Sequence, residues 1–198
     1  MSGIIAFVAG YLVGGMPTAD WLATRKGIDL RAGGSGNPGT NNALRLGGRG
    51  LALAVLAAEL LKGSGVVIAG GWIAGDTGMI EAGFGAVAGN ILNPYRNLRG
   101  GQGLAIACGV LLTALPAAAL VGIVIIAAGV VLLRATAPAA LMAMLALAVS
   151  AITLPIGPWG VSTRSSAAAL GIGVALLVIP KQIRKLRPAS PPPLPGPG

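Results

Sequence analysis

Long apolar stretches of sequence, separated by short polar loops, dominate the chain. Each stretch exceeds the roughly 10 residues of a membrane β-strand, and the alternation typical of strands is absent. The pattern predicts an all-α fold, a polytopic membrane helix bundle of about seven transmembrane spans. The stretches cover residues 4–23, 51–74, 82–95, 103–133, 139–154 and 165–179.

Two of these stretches carry signals for a break. Gly14, Gly15 and Pro17 interrupt the first one, because proline cannot continue a helix interior. The stretch 103–133 has about 31 residues where one span needs ~20, and Pro116 lies near its middle. We expect two short helices there, joined by a turn at residues 113–118.

Composition indicates that the solvent of this chain is a bilayer. Hydrophobic residues make up 55% and charged residues 10% of the 198 positions, and the mean hydropathy is +0.83. A soluble domain carries about a quarter charged residues. We expect a single integral membrane helical domain over residues 1–187, followed by a Pro-rich, disordered cytoplasmic tail at 188–198.

The distribution of charge predicts an orientation. Basic residues follow the first, third, fifth and seventh predicted spans, whereas Asp76 and Glu81 follow the second. Lys and Arg concentrate in cytoplasmic loops, so the amino end is expected outside and the carboxyl end inside. The same rule accounts for the net charge of +9 without nucleic-acid binding.

The absence of histidine excludes several kinds of chemistry. The chain has no histidine and one cysteine, Cys108, in an apolar run where helix packing is its expected role. A Ser-His-Asp system, an imidazole base and a His-containing metal site are therefore excluded. We expect no metal and no organic cofactor.

A glycine-rich loop at residues 29–45, between the first two spans, carries the clearest chemical signal. Its glycines permit positive φ and let backbone N–H groups approach an anion, and a short helix at 40–46 would direct its amino-terminal dipole there. Arg31 and Arg45 can donate paired hydrogen bonds to phosphate oxygens. We expect a phosphate site. The other donors are Gly33, Gly34, Ser35, Gly36, Asn37, Gly39, Asn41 and Asn42.

Further polar residues lie near the same predicted face. A second glycine cluster, at 99–103, leads into the fourth span, and a loop that feeds a helix amino terminus suits a phosphate. Two arginine-flanked loops on one face indicate a site for two phosphorylated groups, or for one group moved between them. Glu59 and Lys62, three residues apart in the second span, share a helix face. Both are expected to face the bundle interior, paired with each other or directed at the site.

The two loops and the Glu59–Lys62 step resemble the bacterial acyl-phosphate-dependent glycerol-3-phosphate acyltransferases. The first motif of that family reads approximately Gly-Ser-Gly-Asn-x-Gly-Ala-Thr-Asn-x-x-Arg. The resemblance extends through residues 14–17, 29–31 and 59–63. The matching positions of the motif are Gly34, Ser35, Gly36, Asn37, Gly39, Asn42 and Arg45.

The second motif of the family keeps its length and its glycines here, and the stretch 178–186 stands in the place of the third motif. In the stretch 89–103, Asn90 stands where the family has histidine, and Arg99 and Gln102 stand where it has lysines. In the stretch 178–186, Ile179 replaces a second histidine and Gln182 replaces an asparagine.

The resemblance implies transfer of an acyl group from acyl phosphate to the 1-hydroxyl of glycerol 3-phosphate, in the bacterial plasma membrane with a cytoplasmic active face. Lysophosphatidic acid and phosphate are the implied products. Ser35, Asn37 and Arg45 are the expected catalytic residues at the donor phosphate. The expected substrate-binding residues are Gly34, Gly36, Gly39, Asn42, Lys62, Arg99, Gly100, Gly101, Gln102, Gly103 and Gln182.

The expected partners are acyl phosphate, glycerol 3-phosphate and membrane lipids, with a homo-oligomer left open. Two other interpretations also stay open. The replaced motif positions fit a family member that binds a lipid precursor or a partner without catalysis. Interrupted helices and glycine loops near a membrane face fit a small transporter of a phosphorylated metabolite, although no inverted repeat relates the two halves.

Overall fold

The fold is a bundle of helices. The structure, a computed structural model, describes residues 1–154 and 160–186. Throughout this part of the chain every regular element is helical and no strand is found, which confirms the predicted all-α class. The helices are α1 Ser2–Gly15, α2 Thr18–Thr24, α3 Thr40–Ile91, a 3-10 helix Pro94–Arg96, α4 Leu104–Ala114, α5 Pro116–Leu133, α6 Thr136–Thr153 and α7 Arg164–Leu186.

Helix α3 consists of three segments separated by two glycine turns. Gly48, with φ 74°, separates segment 40–47 (α3a) from segment 49–73 (α3b). Ala74 and Gly75, the latter with φ 54°, turn the chain back into segment 76–91 (α3c). Such backbone angles are accessible to glycine at little cost. The second and third predicted spans thus form a hairpin, and α3a confirms the short helix predicted at 40–46.

The predicted breaks in the other stretches are also confirmed. Helix α1 ends at Gly15 and α2 begins at Thr18, while α4 ends at Ala114 and α5 begins at Pro116. Proline suits this first helical position because its fixed φ is helical and its missing N–H would be unpaired there anyway. The predicted end of the last span at 179 is wrong, because α7 continues past Pro180 to Leu186.

The chain is an integral membrane protein. Within residues 1–154 and 160–186, five helical stretches are long and apolar enough to cross a bilayer; one, Thr40–Arg96, contains the α3 hairpin, and Leu104–Ala114 is a shorter apolar helix. The total number of crossings and their orientation stay predictions. Residues 155–159 of the predicted external loop at 155–164, together with Arg187 and the predicted tail 188–198, lie outside the described residues.

Glycines bring the helices into backbone contact. A Cβ added at Gly10 or Gly14 of α1 would collide with the backbone of Ala82 or Ala86 of α3c. Lipid tails are as apolar as leucine, so membrane helices associate through close packing and hydrogen bonds more than through hydrophobic burial. Helices α1 and α3c are therefore closely packed against each other.

Both glycine loops lie at the same end of the bundle, as predicted. Arg31 Nη1 donates a hydrogen bond to the Arg99 carbonyl at 3.1 Å, which links the first loop to the second. At the opposite end, the Asp76 carboxylate accepts hydrogen bonds from the amide and the hydroxyl of Ser162, each at 2.8 Å. These bonds join the α3 hairpin turn to the start of α7.

Candidate active site

The break between α1 and α2 is held by side chains from other elements. The carbonyls at the end of a helix lack intrahelical partners. Lys62 Nζ donates to the carbonyls of Gly14 at 3.3 Å and Met16 at 2.9 Å. Asn93 Nδ2 donates to the Gly15 carbonyl at 2.6 Å. The break is thereby fixed against α3b and the second loop.

A buried carboxylate, Glu59, is the centre of a polar network inside the bundle. Its Oε1 accepts hydrogen bonds from Lys62 Nζ and Thr18 Oγ1, each at 2.8 Å, and its Oε2 accepts one from Asn90 Nδ2 at 2.8 Å. Asn90 Oδ1 in turn accepts the Gly103 amide at 3.1 Å. The prediction that Glu59 and Lys62 pair in the interior is confirmed, since both side chains are less than one-tenth exposed.

The first glycine loop takes its shape from Asn42, a buried residue at the start of α3. Its Oδ1 accepts the Ser35 amide at 2.9 Å, and its Nδ2 donates to the carbonyls of Leu30 at 2.7 Å and Gly33 at 3.1 Å. Gly34 inside the loop has φ 61°, a conformation that glycine adopts readily. In this structure Asn42 therefore organises the loop through backbone hydrogen bonds.

An aspartate fixes the entry to the same loop. Asp29 Oδ1 accepts the amides of Arg31 at 2.8 Å and Ala32 at 3.2 Å. These hydrogen bonds, that of Arg31 first, hold the pKa of Asp29 below its ordinary value. The carboxylate therefore stays charged and the turn stays closed through the neutral pH range.

The second glycine loop uses most of its amides within the protein. The Gly100 amide donates to the Ile91 carbonyl at 3.2 Å, the Gly101 amide donates to the Asn90 carbonyl at 2.8 Å, and the Gly103 amide donates to the Asn90 side chain. Three of the amides predicted to face a phosphate are thus engaged. An anion at this loop depends on other donors.

Two arginines near the loops share one aspartate. Asp20 Oδ2 lies 3.3 Å from Arg31 Nε and 3.1 Å from Arg96 Nη2. Arg31 belongs to the first loop, and Arg96 ends the 3-10 helix that precedes the second loop. This ion-pair cluster and the bond from Arg31 to the Arg99 carbonyl hold the two loops together.

A narrow polar cavity of about 10 Å³ lies beside Asp20 and Arg31. It has room for about one water molecule. Both carboxylates that line it, from Asp20 and Glu59, are ion-paired. Among the residues that sequence analysis associated with the site, Arg31, Glu59 and Gly101 line it. The lining residues are Met16, Pro17, Thr18, Ala19, Asp20, Arg31, Pro38, Glu59, Asn90, Asn93 and Gly101.

An apolar groove of about 310 Å³ begins on the other side of the Glu59–Lys62 pair. It runs between α1 and α3b, with Lys62 at one end and Ile73 at the other, and its walls are small or aliphatic side chains such as Ala6 and Ala69. Glu59 borders the polar cavity and Lys62 borders the groove, so one ion pair of 2.8 Å separates the two spaces.

Other predicted site residues lie outside both spaces. Ser35 and Arg45 are exposed to solvent. The Arg45 guanidinium makes no hydrogen bond or ion pair with any residue in the described ranges, so it is available to a ligand.

Gln182 lies toward the loop end of the bundle. Ser162 contacts Asp76, and Leu170 approaches Gly83, so α7 runs parallel to α3c. At the common helical rise of 1.5 Å per residue, Gln182 reaches the level of the second loop. It is 1% exposed, and its Nε2 finds no hydrogen-bond partner within the described chain.

The residues that sequence analysis overlooked are Asp20 and Arg96. Asp20 is an acid inside an apolar stretch, and such residues are rare and commonly functional, so a signal was present. The role of Arg96 follows from the return of the 3-10 helix to α2, which no local pattern predicts.

The sequence profile of the glycerol-3-phosphate acyltransferases matches residues 4–187. The chain belongs to the glycerol-3-phosphate acyltransferase family. The relative of that name from Nitrobacter winogradskyi is 42% identical over 112 residues, which cover 56% of this chain and 57% of the relative. Glycerol-3-phosphate acyltransferase 1 of Deinococcus radiodurans is 33% identical over 164 residues, covering 80% of this chain and 81% of the relative.

The extent of these matches differs among family members. The match to the relatives from Nitrobacter winogradskyi, Bradyrhizobium and Synechococcus spans a little over half of their own length, 57%, 55% and 56%. The match to the Deinococcus radiodurans relative and the profile match both reach across most of the chain.

The fold of the family is also recognisable in solved structures. The glycerol 3-phosphate form of PlsY, an integral membrane glycerol 3-phosphate acyltransferase, gives a TM-score of 0.81 at 23% identity. Its lysophosphatidic acid form gives 0.82 at 21% identity. Each superposition covers 94% of this chain and 90% of PlsY. The membrane helix bundle and the family indicated by the motifs are confirmed.

Proposed function

We propose that this protein transfers a fatty acyl group from acyl phosphate to the 1-hydroxyl of glycerol 3-phosphate, forming lysophosphatidic acid and releasing phosphate. Membership of the family supports an acyl transfer to glycerol 3-phosphate. The observation that carries the proposal is the meeting of a polar cavity and an apolar groove across the Glu59–Lys62 ion pair. A reaction between a polar acceptor and a fatty acyl donor needs such a junction.

The apolar groove suits the acyl chain of the donor. From Lys62 to Ile73 it follows twelve residues of α3b, about 16 Å at the rise of an α-helix. Because lipid tails are as apolar as the groove walls, the groove contributes alignment more than affinity. A chain seated there brings its carboxyl end to the polar side of the bundle.

The first loop is proposed to bind the donor phosphate through Ser35, Asn37 and Arg45. Acyl phosphate is a mixed anhydride with phosphate as its leaving group, so it needs alignment and neutralisation of charge rather than a protein nucleophile. Holding two substrates in line is worth about 7–11 kcal/mol, and each well-placed donor to the developing charge adds about 3–4 kcal/mol. The solvent-facing Arg45 can supply such donors.

The acceptor is proposed to bind at the second loop, with Arg99, Gln102 and Gln182 near its phosphate. The buried Nε2 of Gln182, which has no hydrogen-bond partner among the described residues, supports this placement. The acceptor oxygen attacks the carbonyl carbon while the bond to the phosphate oxygen breaks.

The proton of the acceptor hydroxyl is proposed to pass to the leaving phosphate. The chain has no histidine. The two carboxylates at the cavity are already engaged by cations: Asp20 by Arg31 and Arg96, and Glu59 by Lys62. The phosphate oxygen is thus the strongest free acceptor at the reacting atoms.

We place the active face at the cytoplasmic side of the bacterial plasma membrane. The loop end of the bundle carries Arg25, Lys26, Arg45 and Arg49, whereas Asp76 follows the hairpin turn at the other end. Basic loops favour the cytoplasmic side. Glycerol 3-phosphate is a soluble anion, and this side gives it direct access.

A pair of arginine variants tests the proposal. Arg45→Ala should reduce the formation of lysophosphatidic acid from palmitoyl phosphate and glycerol 3-phosphate by about 100-fold or more, as expected for the loss of a charged donor at the leaving group. Arg49→Ala, an exposed arginine beyond the Gly48 turn, is the matched control and should retain wild-type rates. Full activity of Arg45→Ala would refute the assignment of the donor phosphate.

A further inference from the structure

The environment of Asp20 is unusual because one buried oxygen holds two arginines. Asp20 is 8% exposed, and its Oδ2 contacts Arg31 Nε and Arg96 Nη2 at 3.3 and 3.1 Å. The arginine side chains are 27% and 37% exposed. The carboxylate therefore sits beneath the guanidinium groups, which stay accessible from the loop face.

The cluster keeps spare capacity for an anion. A guanidinium has five N–H donors in a planar fork. Within the described chain Arg31 directs Nε to Asp20 and Nη1 to the Arg99 carbonyl, and Arg96 directs Nη2 to Asp20. The remaining N–H groups have no partner there. The carboxylate of Asp29 also interacts electrostatically with both arginines, so the donors for an anion are these free N–H groups. Two neighbouring guanidiniums with free N–H groups match the oxygens of a phosphate monoester.

We propose that Asp20 is a positioning residue that holds Arg31 and Arg96 together as one binding pair for the phosphate of the acceptor, glycerol 3-phosphate. This inference rests on the proposed function and supplies donors that the engaged amides of Gly100 and Gly101 do not. Asp20 and Arg31 line the polar cavity, Arg96 contacts Asp20 beside it, and none of the three lines the apolar groove. It therefore takes the phosphate of the small polar substrate.

Removing the carboxylate charge of Asp20 distinguishes two possible roles of this residue, because the two roles predict opposite changes in phosphate binding. If Asp20 merely competed with the phosphate for the guanidiniums, its loss would leave two unpaired cations and strengthen phosphate binding. If Asp20 positions them, its loss lets two like charges on different loops repel each other and move apart. Phosphate binding then weakens although the net positive charge has increased.

The experiment compares Asp20→Asn with Asp76→Asn in steady-state kinetics. In Asp20→Asn we expect the KM for glycerol 3-phosphate to rise by about 10-fold to 100-fold, the usual worth of a hydrogen bond to a charged group. The KM for palmitoyl phosphate should stay within about twofold. Asp76→Asn, which removes a hydrogen-bonded carboxylate at the opposite end of the bundle, should change neither. An unchanged or lower KM for glycerol 3-phosphate in Asp20→Asn, or an equal rise in both KM values, overturns the proposal.

A second variant keeps the test decisive if Asp20→Asn does not fold. Arg96→Gln should raise the KM for glycerol 3-phosphate in the same way, and no rise would overturn the proposal. Where both variants fold, the double variant Asp20→Asn/Arg96→Gln should have a KM for glycerol 3-phosphate no higher than that of the more impaired single variant, because the residues act as a unit. Additive losses in the double variant would count against a shared pair.

Binding without the donor separates this inference from the proposed function. Glycerol 3-phosphate should raise the thermal midpoint of the wild-type protein and not that of Asp20→Asn. If the wild type transfers no acyl group but shows this difference, the proposed function fails and the phosphate pair stands. If both proteins are stabilised equally, the phosphate pair fails whatever the activity.

Discussion

Substitution of Glu59 by glutamine tests whether the buried network holds the bundle together. Glu59 is 6% exposed and joins four parts of the protein: α3b itself, α2 through Thr18, the second loop through Asn90, and the α1 end through Lys62. Glutamine keeps the shape of the side chain but removes its charge. The Lys62 ammonium then stays buried against neutral carbonyls.

The size of the effect follows from the geometry of the pair. Removing one partner of a buried ion pair costs about 3–5 kcal/mol, and the lower figure applies because Lys62 keeps its bonds to Gly14 and Met16. Each kcal/mol lowers the thermal midpoint by about 2–4 °C in a chain of this size. Glu59→Gln should therefore lower the midpoint by about 10 °C.

The assay is thermal unfolding of the detergent-purified protein, with Glu81→Gln as the control. Glu81 forms no ion pair with the residues described, so its substitution should shift the midpoint by about 2 °C or less. The double variant Glu59→Gln/Lys62→Met should lose less than the sum of the single variants, because replacing both partners avoids an isolated charge. A Glu59→Gln midpoint equal to that of Glu81→Gln would refute this reasoning.

Three further predictions address packing, the first loop and the groove. Gly14→Ala should destabilise the bundle by about 1–3 kcal/mol through overpacking against Ala86, whereas the control Gly65→Ala, with no neighbour within 4 Å, should not. The assay is thermal unfolding of both variants, and equal midpoints would contradict the packing argument. Asn42→Ala should increase hydrogen exchange in residues 30–36 and abolish transfer, while the exposed Asn41→Ala should leave that hydrogen exchange unchanged; an ordered, active loop in Asn42→Ala would show that these hydrogen bonds are dispensable. Ala69→Phe should slow transfer from palmitoyl phosphate more than from octanoyl phosphate, and Leu53→Phe, on an exposed helix surface, should not; an unchanged chain-length profile would exclude the groove as the acyl site.

Hydropathy and breaker residues predicted most of the helical framework. The helix breaks at Gly15 and Pro116, and the short helix α3a, follow from local rules. Glycine and proline determine the conformation of their own backbone, so their effect can be predicted from sequence alone. The extent of α7 was not predicted, since Pro180 is accommodated within the helix. Local propensity does not include the tertiary packing that carries a helix past a proline.

The candidate site was predictable in kind but not in its contacts. The glycine loops and the Glu59–Lys62 pair were visible because spacing alone defines them. The role of Asn42 in shaping its own loop, and the engagement of the Gly100 and Gly101 amides, depend on where the chain folds back. The same holds for the contact between Asp20 and Arg96, which brings distant segments of sequence together.

The central claim, acyl transfer between these two substrates, is tested most directly by product stoichiometry. Purified protein should be incubated with palmitoyl phosphate, with and without glycerol 3-phosphate, and phosphate, palmitate and lysophosphatidic acid should be measured together. We predict phosphate release that depends on glycerol 3-phosphate, with about one lysophosphatidic acid formed per phosphate and little palmitate. A folded protein that binds both substrates and forms no lysophosphatidic acid would contradict the account.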